Sequence, residues 1–181
     1  MKRFRGKGCL LLAGMLCLGF AATASGMDEA ALNRLIERRT AVCFHEGQRL
    51  GDMVLGARAQ FQFVLVDRAL SEALAKAEFS PEWLRYQGRH FGSDAVRGKT
   101  LFAVQFVTAK PMTFDPTRLR VGDHRVTSAD VLTRPDRLPQ GDLPSGTDAV
   151  LAVAVPGKLK PGSVVVLGYG DDGVSFDVPV R

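Results

Sequence analysis

Few residues in this chain are of the kind that build staples, metal cages and catalytic centres. Its 181 residues include 3 cysteines, 3 histidines, 2 tyrosines and 1 tryptophan. Cys9 and Cys17 lie in an N-terminal apolar run, so Cys43 is the only thiol beyond it. With no cysteine pair there, the rest of the chain cannot be a disulfide scaffold. There is no Gly-x-Ser-x-Gly elbow, since Ser145 stands in LPSGT and Ser163 in PGSVV. A P-loop, a dinucleotide fingerprint, a Cys-x-x-Cys pair and a haem-attachment motif are also missing, which removes the commonest nucleotide, redox and haem chemistries. Long apolar runs are scarce too. The one present, from about Cys9 to Ala22, is interrupted by Gly14 and Gly19 and is shorter than the roughly 20 residues that span a bilayer.

What that run has is the order of a secretory signal. Lys2, Arg3, Arg5 and Lys7 precede it, and Ala22-Thr23-Ala24 follows with small residues at the −3 and −1 positions of a cut after Ala24. Cys17 follows Met15-Leu16 and lacks the small neighbours of a lipidated cysteine. Residues 1–24 are therefore expected to be a cleaved signal peptide, leaving a periplasmic or secreted protein with no membrane span. The formal charge of +5 then largely disappears. Four of the 24 basic residues precede Ser25 and none of the 19 acidic ones does, so the remainder carries 20 against 19. A nearly neutral domain gives no support to nucleic-acid binding, which needs a dense basic surface.

Residues 25–98 mix helix and strand signals. Leu32, Leu35 and Ile36 make a narrow stripe on a helix from about Asp28 to Arg39, with acids in its first turn and arginines in its last. TAVCFHEGQRLGDMVLG is a β-like run broken by Gly47 and Gly51. AQFQFVLVD places Phe61, Phe63 and Leu65 on one strand face, and RALSEALAKAEF is helical, with Leu70, Ala73, Leu74 and Ala77 inward. Ser80-Pro81-Glu82 reads as an N-cap with proline at the first helical position of a short turn.

Residues 99–181 read as β. Phe102, Val104 and Phe106 share a face, Gly122-Asp123 fits a hairpin turn, and DAVLAVAVPG is apolar on both faces, as in a strand enclosed by a core. Thr133 to Thr147, with three prolines and two glycines, reads as loop. SVVVLGYGDDGVSFDVPV is a hairpin expected to turn at Asp171-Asp172-Gly173, and Pro179 marks its second strand as an edge. Short strands with frequent turns predict a mainly β fold, an antiparallel sandwich carrying N-terminal helical elements.

VQFVTAKPMTFDPTRLRVGDHRV, the LPSG loop and VPGKLKPGSVVVLGY resemble the layout of immunoglobulin-like domains in exported bacterial proteins. The resemblance covers Lys99 to Arg181 and rests on turn signals, so it implies a fold and no catalytic residue. The cysteine–tryptophan–cysteine core of antibody domains is absent, because Trp83 lies outside the region and no cysteine follows Cys43.

Two stretches are candidates for chemistry. In AVCFHEGQ, Cys43, His45 and Glu46 lie within four positions, but Arg49 occupies the place of the second zinc-protease histidine. Cys43 and His45 would share a strand face about 7 Å apart, too far for a simple thiol–imidazole pair. As metal ligands they would need His90 or His124 from elsewhere. The plain expectation is that Cys43 is a small buried apolar group and His45 a surface polar one. The second stretch, PEWLRYQGRHFGSDAVRGK, interleaves Trp83, Tyr86 and Phe91 with Arg85, Arg89, His90, Arg97 and Lys99. Aromatic and arginine side chains dominate interface hot spots, so Trp83, Arg85, Tyr86, Arg89 and His90 are candidates for binding a partner, another envelope protein. The competing role for Trp83 and Phe91 is to dock a helix onto the sheet. No catalytic residue, cofactor or metal is expected, and the whole reads as a non-enzymatic binding or accessory module. The alternatives are a metal protein using Cys43 and His45, and a structural subunit pairing through its last strand.

Overall fold

A computed structural model describes residues 28–180; the basic and apolar segment with its cut after Ala24 lies outside the described residues. In chain order the elements are helix α1 (Glu29–Glu37), strands β1 (Thr40–His45), β2 (Gln48–Leu50), β3 (Met53–Leu55) and β4 (Ala59–Val66), then helices α2 (Arg68–Lys76) and α3 (Glu82–Gly88). Eight strands follow: β5 (Lys99–Thr108), β6 (Met112–Phe114), β7 (Leu119–Val121), β8 (His124–Arg125), β9 (Gly141–Leu143), β10 (Asp148–Pro156), β11 (Val164–Tyr169) and β12 (Asp172–Asp177). The chain is mostly β, and its sheets are antiparallel.

The main sheet has the order β1-β4-β5-β10 and the second β12-β11-β7-β8; β2 with β3 and β6 with β9 form two small ribbons. Alternation along the strands decides which layer each side chain enters. Cys43, Phe61, Phe63, Phe102, Val104, Phe106, Leu151 and Val153 project from the main sheet toward Leu119, Leu167, Tyr169 and Phe176 of the second. On the opposite face Val64, Val66, Leu101, Ala103, Ala152 and Ala154 meet Leu32, Leu70, Leu74 and Leu84 of the helices. β10 is thus buried on both faces, which accounts for its unbroken apolar run.

The main sheet takes β1 and β4 from the first half of the chain and β5 and β10 from the second, so both halves share one core. The helices do not form an N-terminal block, contrary to the sequence-based expectation. Only α1 precedes the first strand, while α2 and α3 sit mid-chain, between two adjacent strands of the main sheet. Nine-residue helices such as α2 are marginal alone, and it is the apolar outer face of the sheet that holds them. Asp67 caps α2 through the Leu70 N–H and also receives a two-pronged ion pair from buried Arg39, tying α1 to α2.

Three local expectations shift. α3 makes two turns and begins at Glu82, with Pro81 as its cap and Ser80 outside it. The loop from Thr133 to Thr147 contains β9, which pairs with β6. The last hairpin turns at Gly170-Asp171, because Tyr169 pairs with Asp172. Gly170 has φ of 60°, which a glycine adopts without steric cost, and the turn therefore closes one residue early. Asp172 consequently belongs to the strand. β12 lies at a sheet edge, as Pro179 suggested, and packs alongside β1 of the main sheet.

Candidate functional site

β1 carries Ala41, Cys43 and His45 on one buried face, as the alternation required. Cys43 is 2% exposed, and burial pushes its thiol above the ordinary value. His45 is 5% exposed, which corrects its assignment to the surface. The reason is the register of the last hairpin: Asp172 shares an inward parity with Phe176, and its Oδ2 lies 2.7 Å from His45 Nδ1. The same oxygen accepts the Glu46 N–H at 3.0 Å. Because a carboxylate only accepts, Nδ1 carries the proton. The other ring nitrogen lies 3.6 Å from Glu46 Oε1, and the imidazole meets Tyr169 edge-on at 4.9 Å. Glu46 itself adopts φ of 51°, held there by the Asp172 bond and by Arg58, whose Nε donates to Glu46 Oε2 at 2.6 Å. That ion pair holds the Glu46 carboxyl below its usual range.

His45 therefore serves as a clasp between β1 and β12, and its hydrogen-bond partner is a carboxylate rather than the thiol. The other two histidines are engaged elsewhere. His124 Nε2 is 2.9 Å from Asp130 Oδ2, within a turn that Asp130 closes by accepting the Thr127 N–H and hydroxyl. His90 lies on α3's side of the molecule, against a cleft described below. Among the described residues no three His, Cys, Asp or Glu side chains converge in a way that could hold a metal ion.

The second stretch builds a site. A cleft of about 480 Å³ opens between α3 and the segment 132–137, lined on one wall by Glu82, Trp83, Tyr86, Gln87, Arg89 and His90. Its other wall comes from Leu132, Thr133, Arg134 and Arg137, with Val150 of β10 at the base. Four of the five sequence candidates meet there. Arg85, the fifth, is not among the lining residues and instead donates from Nε to Ser80 Oγ at 2.8 Å. Trp83 does both things that were weighed for it, packing with Phe91 against the helix-side core and lining the cleft.

Tyr86 organises the charges. Arg89 stacks over its ring, 3.7 Å from the centroid, and Arg137 Nη1 donates to its hydroxyl at 3.2 Å. Neither guanidinium has a carboxylate within ion-pair distance among the described residues, whereas Arg134 is paired to Asp136 at 3.1 Å. Burial, assisted by the Arg89 charge, pulls the His90 pKa down, so His90 is neutral at neutral pH. Gln87 is 2% exposed, and its side-chain carbonyl accepts no hydrogen bond among the described residues. A buried amide oxygen left this way costs about 1–3 kcal/mol.

Sequence reasoning missed the 132–137 wall and Gln87. TRPDR was hidden in a stretch read as loop, some 50 positions from Trp83, and only the fold brings the two together. A pair of arginines around Pro135 was the one signal available. Among the described residues no helix is long and apolar enough to cross a membrane. Compared with protein families, with curated proteins and with solved structures, the chain matches none.

Proposed function

We propose that this chain is an exported, non-enzymatic binding or accessory module of the bacterial periplasm or cell surface, and that it binds its partner in the cleft between α3 and residues 132–137. The observation that carries the reading is the convergence there of Trp83, Tyr86, Arg89 and Arg137 around an unpaired buried amide. Sites of a few hundred Å³ with aromatic walls and a few placed polar groups are where ligands bind. The two facing antiparallel sheets agree with an immunoglobulin-like scaffold for that cleft. The basic, apolar opening of the chain supports export. The clasped His45 and the buried, unpaired Cys43 give no base-and-nucleophile geometry, which supports a binding role over a catalytic one.

The test is in-cell photocrosslinking from Thr133 on the cleft rim, comparing the unaltered chain with an Arg89→Ala, Arg137→Ala double variant. The expected result is a discrete adduct with an envelope protein that the double variant loses while its melting temperature stays within about 2 °C. Adducts of equal yield from both proteins would remove the cleft from consideration.

A further inference from the structure

The hydrogen-bonding parity of β10 says what kind of partner fits. Thr108 N–H donates to Thr147 carbonyl, so odd-numbered positions on this strand face β5. Even-numbered positions face outward. Ala152 confirms it, since its carbonyl accepts Leu132 N–H and its N–H goes to Thr133 Oγ1. The segment 131–133 thus covers the outer edge of β10 at Val153 and Ala152, then departs at Arg134 to form the cleft wall. The next outward position is Val150, at the cleft's base, whose N–H and carbonyl have no partner among the described residues. A strand edge stops being covered where the aromatic and arginine walls begin.

Resting on the cleft reading above, we infer that the occupant is an extended acidic peptide segment, which continues the line of residues 131–133 as an added strand on β10. Its main chain exchanges hydrogen bonds with the outward N–H and carbonyl of Val150. Its carboxylates meet Arg89 and Arg137, the two cleft guanidiniums with no acidic partner. Main-chain pairing gives such a complex its affinity and the flanking side chains its selectivity. A nucleic acid would also satisfy the arginines and the aromatic rings, but it offers no extended peptide main chain to the strand edge.

The experiment uses the intact protein and its single tryptophan, Trp83, which lines the cleft and reports its occupancy by fluorescence. Four probes are titrated: a short peptide alternating valine and glutamate, its lysine counterpart, the glutamate peptide methylated at alternate main-chain nitrogens, and oligothymidylate. The glutamate peptide is expected to bind at least about tenfold more tightly than each of the others, and to lose about tenfold or more on Arg89→Ala, Arg137→Ala. Equal binding of the lysine peptide overturns the charge assignment. Undiminished binding of the methylated peptide overturns strand addition, and oligothymidylate binding as tightly overturns the choice of a peptide. If no peptide binds the unaltered protein, the acidic-peptide inference falls, while the cleft itself is judged separately by the crosslinking above.

Discussion

Cys43 and His45 face the same way along β1, yet they answer to different chemistry. Cys43 sits in an aromatic and aliphatic layer with its thiol raised by burial, and a raised, inaccessible thiol is a poor nucleophile. Ellman's reagent is expected to leave it untouched in the native protein and to titrate it fully in denaturant. Rapid modification of the folded chain would contradict its place in the core. His45 is expected to matter more for stability. His45→Ala removes a buried ring and leaves the Asp172 carboxylate with the Glu46 N–H alone, at a cost of about 2–3 kcal/mol by urea unfolding. A loss below about 0.5 kcal/mol would show that the clasp contributes nothing. The burial of Cys43 was legible from its residue type. That of His45 was not, because it depends on a residue 127 positions away entering the strand at one particular register.

At the scale of elements, the last hairpin shows how little room the register leaves. A Cβ placed on Gly168 would lie 2.1 Å from the Asp172 carbonyl oxygen, a backbone atom that cannot move aside without opening the β11–β12 ladder. Gly168→Ala is therefore expected to cost about 2 kcal/mol or more and to weaken amide protection along β12 first, as hydrogen exchange would show. An unchanged exchange pattern would refute the close approach. The strands themselves were readable, since period-two alternation set Phe61, Phe63 and Leu65 of β4 and Phe102, Val104 and Phe106 of β5 on common faces, and an unbroken apolar run marked β10 as enclosed on both sides. Turn closure was readable only to within a residue, because several adjacent Asp and Gly residues serve equally well. The helical cover was misplaced as a block because periodicity shows that a helix has an apolar face and not which sheet face needs it.

For the whole molecule, the acid limb of stability draws on the lowered carboxyls, of which Asp67 and Asp130 are the ones set into the fold rather than exposed like Glu46. Burial alone would raise Asp67, but the Arg39 ion pair and the α2 N–H groups outweigh it and hold the group below its ordinary value. Asp130 is lowered in the same way, burial being overcome by Thr127 and His124. A carboxyl whose folded pKa lies below its unfolded one contributes stability above the unfolded value, near 4, and loses it as pH falls through the folded value. The fold is therefore expected to be insensitive to these groups at neutral pH and to weaken below about pH 4. Asp67→Asn should be less stable at pH 7 and show a shallower acid decline, measured by thermal melts across that range. An identical acid profile for the variant would remove Asp67 from the account.

The seam between β1 and β12 also bears on how the molecule reaches its native state. The first and last strands of the described structure lie side by side, so the aromatic layer around Phe61 and Tyr169 is sealed only when β12 arrives. Closure over so great a sequence separation raises contact order, which slows folding. The β4–β5–β10 portion of the main sheet can form earlier, but Cys43 and the inner faces of Phe61 and Phe114 remain uncovered until β11 and β12 dock. A chain being synthesised would therefore hold an unsealed core until β12 had emerged to dock beside β1.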